Sequence, residues 1–182
     1  MNDTRITLKY ILIGIIVVIF TWTFHEFAHW LTSELLGYDT AMYLNASSTL
    51  GDNKPNDLHR VIISATGPAV TLLQGWIVFL LLKNKKWYKY GYLLLFTACY
   101  MRFLAGLMNG INPNDEGRIS AYLGWGTFTL PIIVCVLLFL MVRRISKQYH
   151  LSWKFQLANT LIVMFVSSAL ILADQFFKIR LL

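Results

Sequence analysis

The chain has 182 residues, of which 57% are apolar and 14% charged, and it carries a formal net charge of +7. Ordinary soluble domains are about 45–50% apolar and about 25% charged. The apolar excess lies in long runs, which excludes a soluble globular domain, a disordered tail and a secreted disulfide scaffold. The basic residues fall between these runs, where membrane topology explains them, and no nucleic-acid motif is present. We therefore expect the protein to lie in a lipid bilayer and not to bind nucleic acid.

Five apolar segments predict an all-α, polytopic transmembrane helix bundle with short loops. They cover residues 10–36, 61–82, 89–108, 122–142 and 155–177. Each is long enough to cross about 30 Å of hydrocarbon as a helix. We expect one integral membrane domain over residues 1–182, with a core at 8–120 and accessory spans at 122–177. Residues 39–50 alternate in polarity, which indicates either a small β element with an open edge or an exposed loop.

The distribution of Lys and Arg predicts the orientation. Ten of these residues lie on one side: Arg5, Lys9, Lys83, Lys85, Lys86, Lys89, Arg143, Arg144, Lys147 and Lys154. Five lie on the other side: Lys54, Arg60, Arg118, Lys178 and Arg180. Because the richer side faces the cytoplasm, we expect a cytoplasmic N-terminus and an outward-facing end of the first span. No small-residue cleavage site follows the first apolar run, so we interpret it as a retained span.

The first span contains the sequence His25-Glu26-Phe27-Ala28-His29. Histidines at positions i and i+4 share one helix face and can bind one zinc ion together. The glutamate beside the first histidine can then act as a general base on a water molecule. Interfacial histidines often only form hydrogen bonds at the headgroup level, but ionisable residues inside a membrane are costly and usually functional. The motif therefore predicts a zinc site.

A zinc site needs a third protein ligand and an open position. Asp115 is the best candidate, since it follows the third span on the same side of the membrane as His25. It belongs to the segment Asn-Pro-Asn-Asp-Glu-Gly-Arg-Ile at residues 112–119, which breaks the helix and could equally be a plain turn. The first loop offers four further candidates: Asp39, Asp52, Asp57 and His59.

Together, these segments resemble the site-2 protease family of intramembrane zinc metalloproteases. In that family, H-E-x-x-H is followed by a small residue and a Gly, and Ser33 and Gly37 stand at those spacings. Residues 115–118, Asp-Glu-Gly-Arg, are similar to the end of the downstream family motif, with Glu116 in place of the first Gly. Residues 65–70, Ala-Thr-Gly-Pro-Ala-Val, are similar to the family's Ala-Gly-Pro segment with one extra residue.

The resemblance implies an enzyme that hydrolyses peptide bonds in or near transmembrane segments of membrane protein substrates. It implies Zn²⁺ as cofactor, Glu26 as catalytic base, and three zinc ligands: His25, His29 and Asp115. It further implies that Asn109 or Asn112 holds the substrate backbone or the oxyanion. Glu116 is an alternative third ligand, because it directly follows Asp115.

Two other functions are compatible with this pattern. A catalytically silent relative could bind membrane helices, but it would have no chemical reason to keep Glu26. A transporter could use Glu26, Arg102 and Asp115, but it should carry polar residues in several spans, and the fourth span has almost none. Arg102 could instead be the buried partner of Asp115, Glu116 or a carbonyl, or extend to the interface.

Overall fold

The computed structural model of the chain describes residues 3–84 and 87–182. These residues form six helices and a two-stranded antiparallel sheet: α1 (Leu8–Leu35), β1 (Thr40–Met42), β2 (Ser47–Thr49), α2 (Asp57–Asn84), α3 (Lys89–Met108), α4 (Asp115–Tyr122), α5 (Thr129–Gln148) and α6 (Trp153–Phe177). All but α4 are long and apolar enough to cross a membrane. The predicted all-α bundle with five spans and a small β element is therefore confirmed. Lys85 and Lys86, which entered the orientation count, lie outside the described residues.

The region between the third and fourth spans differs from the prediction. Residues 115–122 form the short helix α4, and the fourth span begins only at Thr129. Asn114 starts α4, because its side-chain Oδ1 accepts a hydrogen bond of 2.6 Å from the Gly117 N–H. Gly124 and Gly126 then adopt φ values of 73° and 77°, a left-handed conformation that interrupts the helical path. The apolar residues between α4 and α5 thus belong to a connection and not to the span.

Helix α1 packs against α2, α3, α6 and the sheet. Two buried polar pairs join it to α6. The Tyr10 hydroxyl donates to Asn159 Oδ1 at 2.6 Å, and the Trp22 indole N–H donates to Ser167 Oγ at 3.0 Å. Lipid tails are as apolar as the helix surfaces, so such hydrogen bonds and close packing hold membrane helices together. The fifth predicted span is therefore attached directly to the helix that carries the H-E-x-x-H motif.

The outer edge of strand β1 is covered. The Thr40 N–H donates to Glu34 Oε1 at 2.8 Å, and the Thr40 carbonyl accepts from the Trp30 indole at 3.0 Å. Further along, the Met42 N–H donates to the Leu182 carbonyl at 3.1 Å, and the Met42 carbonyl accepts from the Leu181 N–H at 2.7 Å. The hairpin consequently has one free edge among the described residues, that of β2.

Replacing Tyr10 with Phe tests the attachment of α6 to α1. The substitution leaves Asn159 Oδ1 buried without a donor, so we expect the free energy of unfolding to fall by about 1 kcal/mol. Thermal unfolding in detergent micelles would measure the change. Tyr122→Phe is the matched control, because Tyr122 is 51% exposed. Equal melting temperatures for Tyr10→Phe and the unmodified protein would contradict a stabilising role for this hydrogen bond.

Candidate metal centre

Three side chains from two helices converge on one point. His25 Nε2 and His29 Nε2, one turn apart on α1, lie 3.1 Å from each other. Asp115 Oδ2, at the start of α4, lies 3.3 Å from each of the two nitrogens. Tetrahedral zinc with ligand distances of about 2.0–2.1 Å has ligand–ligand edges of about 3.3 Å. Among the described residues, this is the one cluster of His, Cys, Asp or Glu with metal-binding geometry.

Helix α2 determines which histidine nitrogens face this point. His29 Nδ1 lies 2.7 Å from the Ile63 carbonyl, which can only accept, so this nitrogen carries the proton. The Thr71 hydroxyl donates to the Gly67 carbonyl at 3.0 Å and must therefore accept from His25 Nδ1 at 3.1 Å. Both Nε2 lone pairs then point toward Asp115. Three electron-pair donors this close repel one another unless a cation lies between them, which fits a metal ion.

Asp115 is held by its other oxygen. Arg118 Nη2 donates to Asp115 Oδ1 at 2.6 Å, and Arg118 Nε donates to Ser64 Oγ at 3.0 Å. The Arg118 guanidinium at Oδ1 and the Arg102 guanidinium, whose Nη1 lies 3.9 Å from Oδ2, both stabilise the ionised form of this carboxylate. The carboxylate is therefore ionised, with Oδ2 left for a metal ion.

Glu26 lies beside the three ligands in the same cavity. Its side chain is 6% exposed and has no hydrogen-bond partner in the described part of the chain. The cavity has a volume of about 570 Å³, and Glu26, His29 and Asp115 line it together with the residues of β2. A carboxylate without a partner beside a ligand cluster is placed to accept a proton from water.

The Gly-Pro segment of α2 has a steric role. A Cβ atom at Gly67 would overlap with His29 Nε2 and with the His25 ring. Only glycine lets the α2 backbone approach the two imidazoles this closely. This contact explains the Ala-Thr-Gly-Pro sequence in physical terms, since Pro68 and Gly67 lie at the point where α2 crosses the motif.

The other predicted site residues do not belong to the ligand cluster. Asn109 donates through Nδ2 to the Thr127 carbonyl at 2.6 Å and accepts from the Asn114 N–H at 3.0 Å, so its carboxamide holds the loop before α4. Asn112 is exposed and does not line the cavity. Glu116, the alternative ligand, is 2% exposed and pairs with Arg102 Nη1 at 3.1 Å.

Arg102 forms the buried side of the site. It is 3% exposed, and its Nη2 lies 3.5 Å from His25 Nε2 while its Nη1 lies 3.9 Å from Asp115 Oδ2. The pairing with Glu116 is one of the partners that the sequence analysis allowed for this arginine. A buried arginine remains charged, and the adjacent carboxylates compensate that charge.

The first-loop candidates have other positions. His59 Nδ1 contacts the Tyr38 hydroxyl at 2.7 Å, and Asp57 Oδ1 lies 3.7 Å from Arg60 Nη1. Asp39 and Asp52 do not belong to the metal-binding cluster of the described residues. Ser64, Thr71 and the Ile63 carbonyl were not predicted from the sequence, because they contact the site only after α2 folds back on α1. No local sequence pattern pointed to these three groups.

Comparisons of the chain with family models, with curated proteins and with solved structures find no match.

Replacing Gly67 with Ala tests the steric role of this position. We expect the added methyl group to displace the imidazoles and to weaken zinc binding about tenfold or more, as loss of ligand-orienting contacts does. Zinc titration of the purified, metal-stripped protein would measure the affinity. Gly110→Ala is the control, because the nearest atom to a Cβ there is the Leu107 carbonyl at 3.6 Å. Unchanged zinc affinity in folded Gly67→Ala protein would contradict the steric argument.

Proposed function

We propose that the protein is an intramembrane zinc metalloprotease, similar to site-2 proteases, that hydrolyses peptide bonds in or near transmembrane segments of other membrane proteins. The main support for the proposal is that Glu26 lines the same cavity as the candidate ligands His29 and Asp115. The Glu26 carboxylate has no hydrogen-bond partner among the described residues. His25 completes the ligand set. A zinc ion bound there would polarise the scissile carbonyl and lower the pKa of a water molecule.

The residues of the chain perform the proton transfers and the positioning. Glu26 accepts the proton of the attacking water and later delivers it to the leaving amine nitrogen. Thr71 and the Ile63 carbonyl keep His25 and His29 in the tautomer that leaves Nε2 free for the metal. Arg118 fixes Asp115 through Oδ1, which limits the motion of the third ligand.

The free edge of β2 is the place where we expect the substrate to bind. A peptide bond inside a helix is protected by hydrogen bonding, so the substrate must become extended before it is cut. The Leu50 N–H donates to the Asp39 carbonyl, and the Tyr43 N–H donates to the Ala46 carbonyl. Hydrogen-bonded and non-hydrogen-bonded residue pairs alternate along an antiparallel ladder. The backbone N–H and C=O groups of Ser47 and Thr49 therefore point away from β1. Both residues line the cavity that contains Glu26. An extended substrate can therefore add to the sheet beside the candidate metal centre.

The sidedness of the reaction is part of the proposal. The cavity lies where the C-terminal end of α1 meets the N-terminal end of α2 and the hairpin. By the Lys and Arg distribution, this end of the bundle faces away from the cytoplasm. Cleavage would then take place near the outer face of the membrane.

Replacing Glu26 with Gln tests the catalytic base. We expect peptide cleavage by the zinc-loaded protein to fall about 10²–10⁴-fold, because the general base is lost. Zinc content should be unchanged, since Glu26 is not a ligand. Cleavage of a library of fluorogenic transmembrane peptides in micelles, with metal analysis of the same samples, measures both quantities. Asp52→Asn, at an exposed position, is the control. Wild-type cleavage rates in Glu26→Gln would remove Glu26 from the mechanism.

The adjacent carboxylates Asp115 and Glu116 should respond in opposite ways. Asp115→Asn should remove most zinc binding, because it eliminates a charged ligand. Glu116→Gln should keep zinc binding but lower the free energy of unfolding by about 3–5 kcal/mol, since it leaves the Arg102 charge buried without its main partner. Metal titration and thermal unfolding of both variants separate the two effects. Full zinc occupancy in Asp115→Asn together with its loss in Glu116→Gln would move the third ligand to Glu116.

A further inference from the structure

The cavity that contains Glu26 has a cationic wall. Lys54, Arg60 and Arg118 all line it. Arg118 is already engaged with Asp115 and Ser64. Lys54 has no ion-pair partner among the described residues. The one ion pair of Arg60 there is the 3.7 Å contact with Asp57, whose side chain is 83% exposed, and Arg60 Nη2 also donates to the Pro55 carbonyl at 3.5 Å. Two cations in this wall are therefore largely uncompensated.

These two cations are carried by the segment that directly follows the free strand edge. Strand β2 ends at Thr49, Lys54 lies in the connection to α2, and Arg60 lies in the first turn of that helix. The Asn56 side chain accepts from the His59 N–H at 2.8 Å, and the Asn56 carbonyl accepts from the Arg60 N–H at 2.8 Å. These bonds fix the backbone of the first turn. The N-terminal end of α2 adds partial positive charge to the same wall.

An extended polypeptide that pairs with β2 lies in the same cavity as this wall, because Ser47, Ser48 and Thr49 line that cavity together with Lys54 and Arg60. Charge complementarity then favours a negative group in that part of the polypeptide, and a carboxylate is the negative group that polypeptides carry. The hydroxyl groups of Ser47, Ser48 and Thr49, which line the same cavity, favour polar over apolar side chains along the way.

We propose that Lys54 and Arg60 form a specificity subsite that binds a carboxylate of the substrate, supplied either by an Asp or Glu side chain or by a C-terminal carboxyl group. This inference rests on the proposed function, because it concerns the substrate of that site. It assigns to the protein a preference for membrane proteins with an acidic group in the extended segment outside the bilayer.

Binding of synthetic peptides to the Glu26→Gln protein in uncharged detergent micelles tests the subsite without turnover. The probes are fluorescent peptides with a polar, uncharged sequence in which a single Glu is placed at each position in turn. Each Glu peptide is compared with the peptides that carry Gln or Lys at the same position. Each is made with a free and with an amidated C-terminus, which distinguishes the two sources of the carboxylate. We expect the best Glu peptide, or the free acid, to bind about fivefold more tightly than its neutral counterpart, a typical effect of one partly exposed charge pair.

Charge reversal provides the decisive comparison. In the background of Glu26→Gln, Lys54→Glu combined with Arg60→Glu should shift the preference from the Glu peptide to the Lys peptide. Arg144→Glu combined with Lys147→Glu, at exposed positions near the C-terminal end of α5, makes the same change in net charge away from the cavity and should leave the preference unchanged. Thermal unfolding in the same micelles checks that each variant remains folded.

Three outcomes would overturn the subsite. The first is equal binding of the Glu and Gln peptides at every position, and the second is a preference for Glu that survives the charge reversal. The third is binding that depends on added anionic phospholipid and not on the charge of the peptide.

Cleavage by the unmodified protein separates this inference from the proposed function. Cleavage of Glu and Gln peptides at equal kcat/KM would remove the subsite and leave the protease. Charge-dependent binding to Glu26→Gln without any cleavage by the unmodified, zinc-loaded protein would remove the protease and leave the anion site.

Discussion

The close contact between α1 and α2 at Gly67 is the constraint on which the rest of the site depends. It brings the backbone and hydroxyl acceptors of α2 to the Nδ1 atoms of His25 and His29. Those hydrogen bonds fix the tautomers and turn both Nε2 atoms toward Asp115. The position of Asp115 depends on α2 as well, because Arg118 reaches from Asp115 to Ser64 on that helix. One interhelical contact thus aligns all three candidate ligands.

Charge balance is the second requirement of a polar site within an apolar bundle. The Arg102–Glu116 pair lies on the buried side of the ligands and Arg118 on the cavity side, so Asp115 is placed between two guanidinium groups. Such groups are expensive to bury singly and are tolerated as a mutually compensating set. The structure concentrates its buried charges in this one region, while α1 and α6 are joined by neutral hydrogen bonds.

The sequence was sufficient to predict what depends on local composition. Hydropathy and length identified five spans, and the third, at Lys89–Met108, has the predicted bounds. The face shared by His25 and His29 follows from helical periodicity alone. The start of the fourth span was wrong, because the apolar residues before Thr129 favour a helix while the positive φ of Gly124 and Gly126 interrupts it.

The features that sequence reasoning missed are long-range. The roles of Thr71 and Ser64 appear only when α2 packs on α1, and no local pattern encodes that register. Asn109 or Asn112 was expected to hold the substrate, and the structure adds a contact that spacing did not show: both ends of the Asn109 carboxamide hold the loop before α4. The partners of that side chain are set by the path of the chain after α3, which the residue spacing did not determine. The covering of β1 by Leu181 and Leu182 joins segments that are far apart in the sequence and had no sequence signal.

That covering of β1 also governs self-association. A hairpin with two open edges can pair with copies of itself without limit, which is the usual route from an exposed sheet to aggregation. Because Leu181 and Leu182 cover one edge, two copies can pair through their β2 strands, and no third copy can then add to the sheet. Removing Leu181 and Leu182, or displacing them with a bulky group, would free the Met42 part of the second edge.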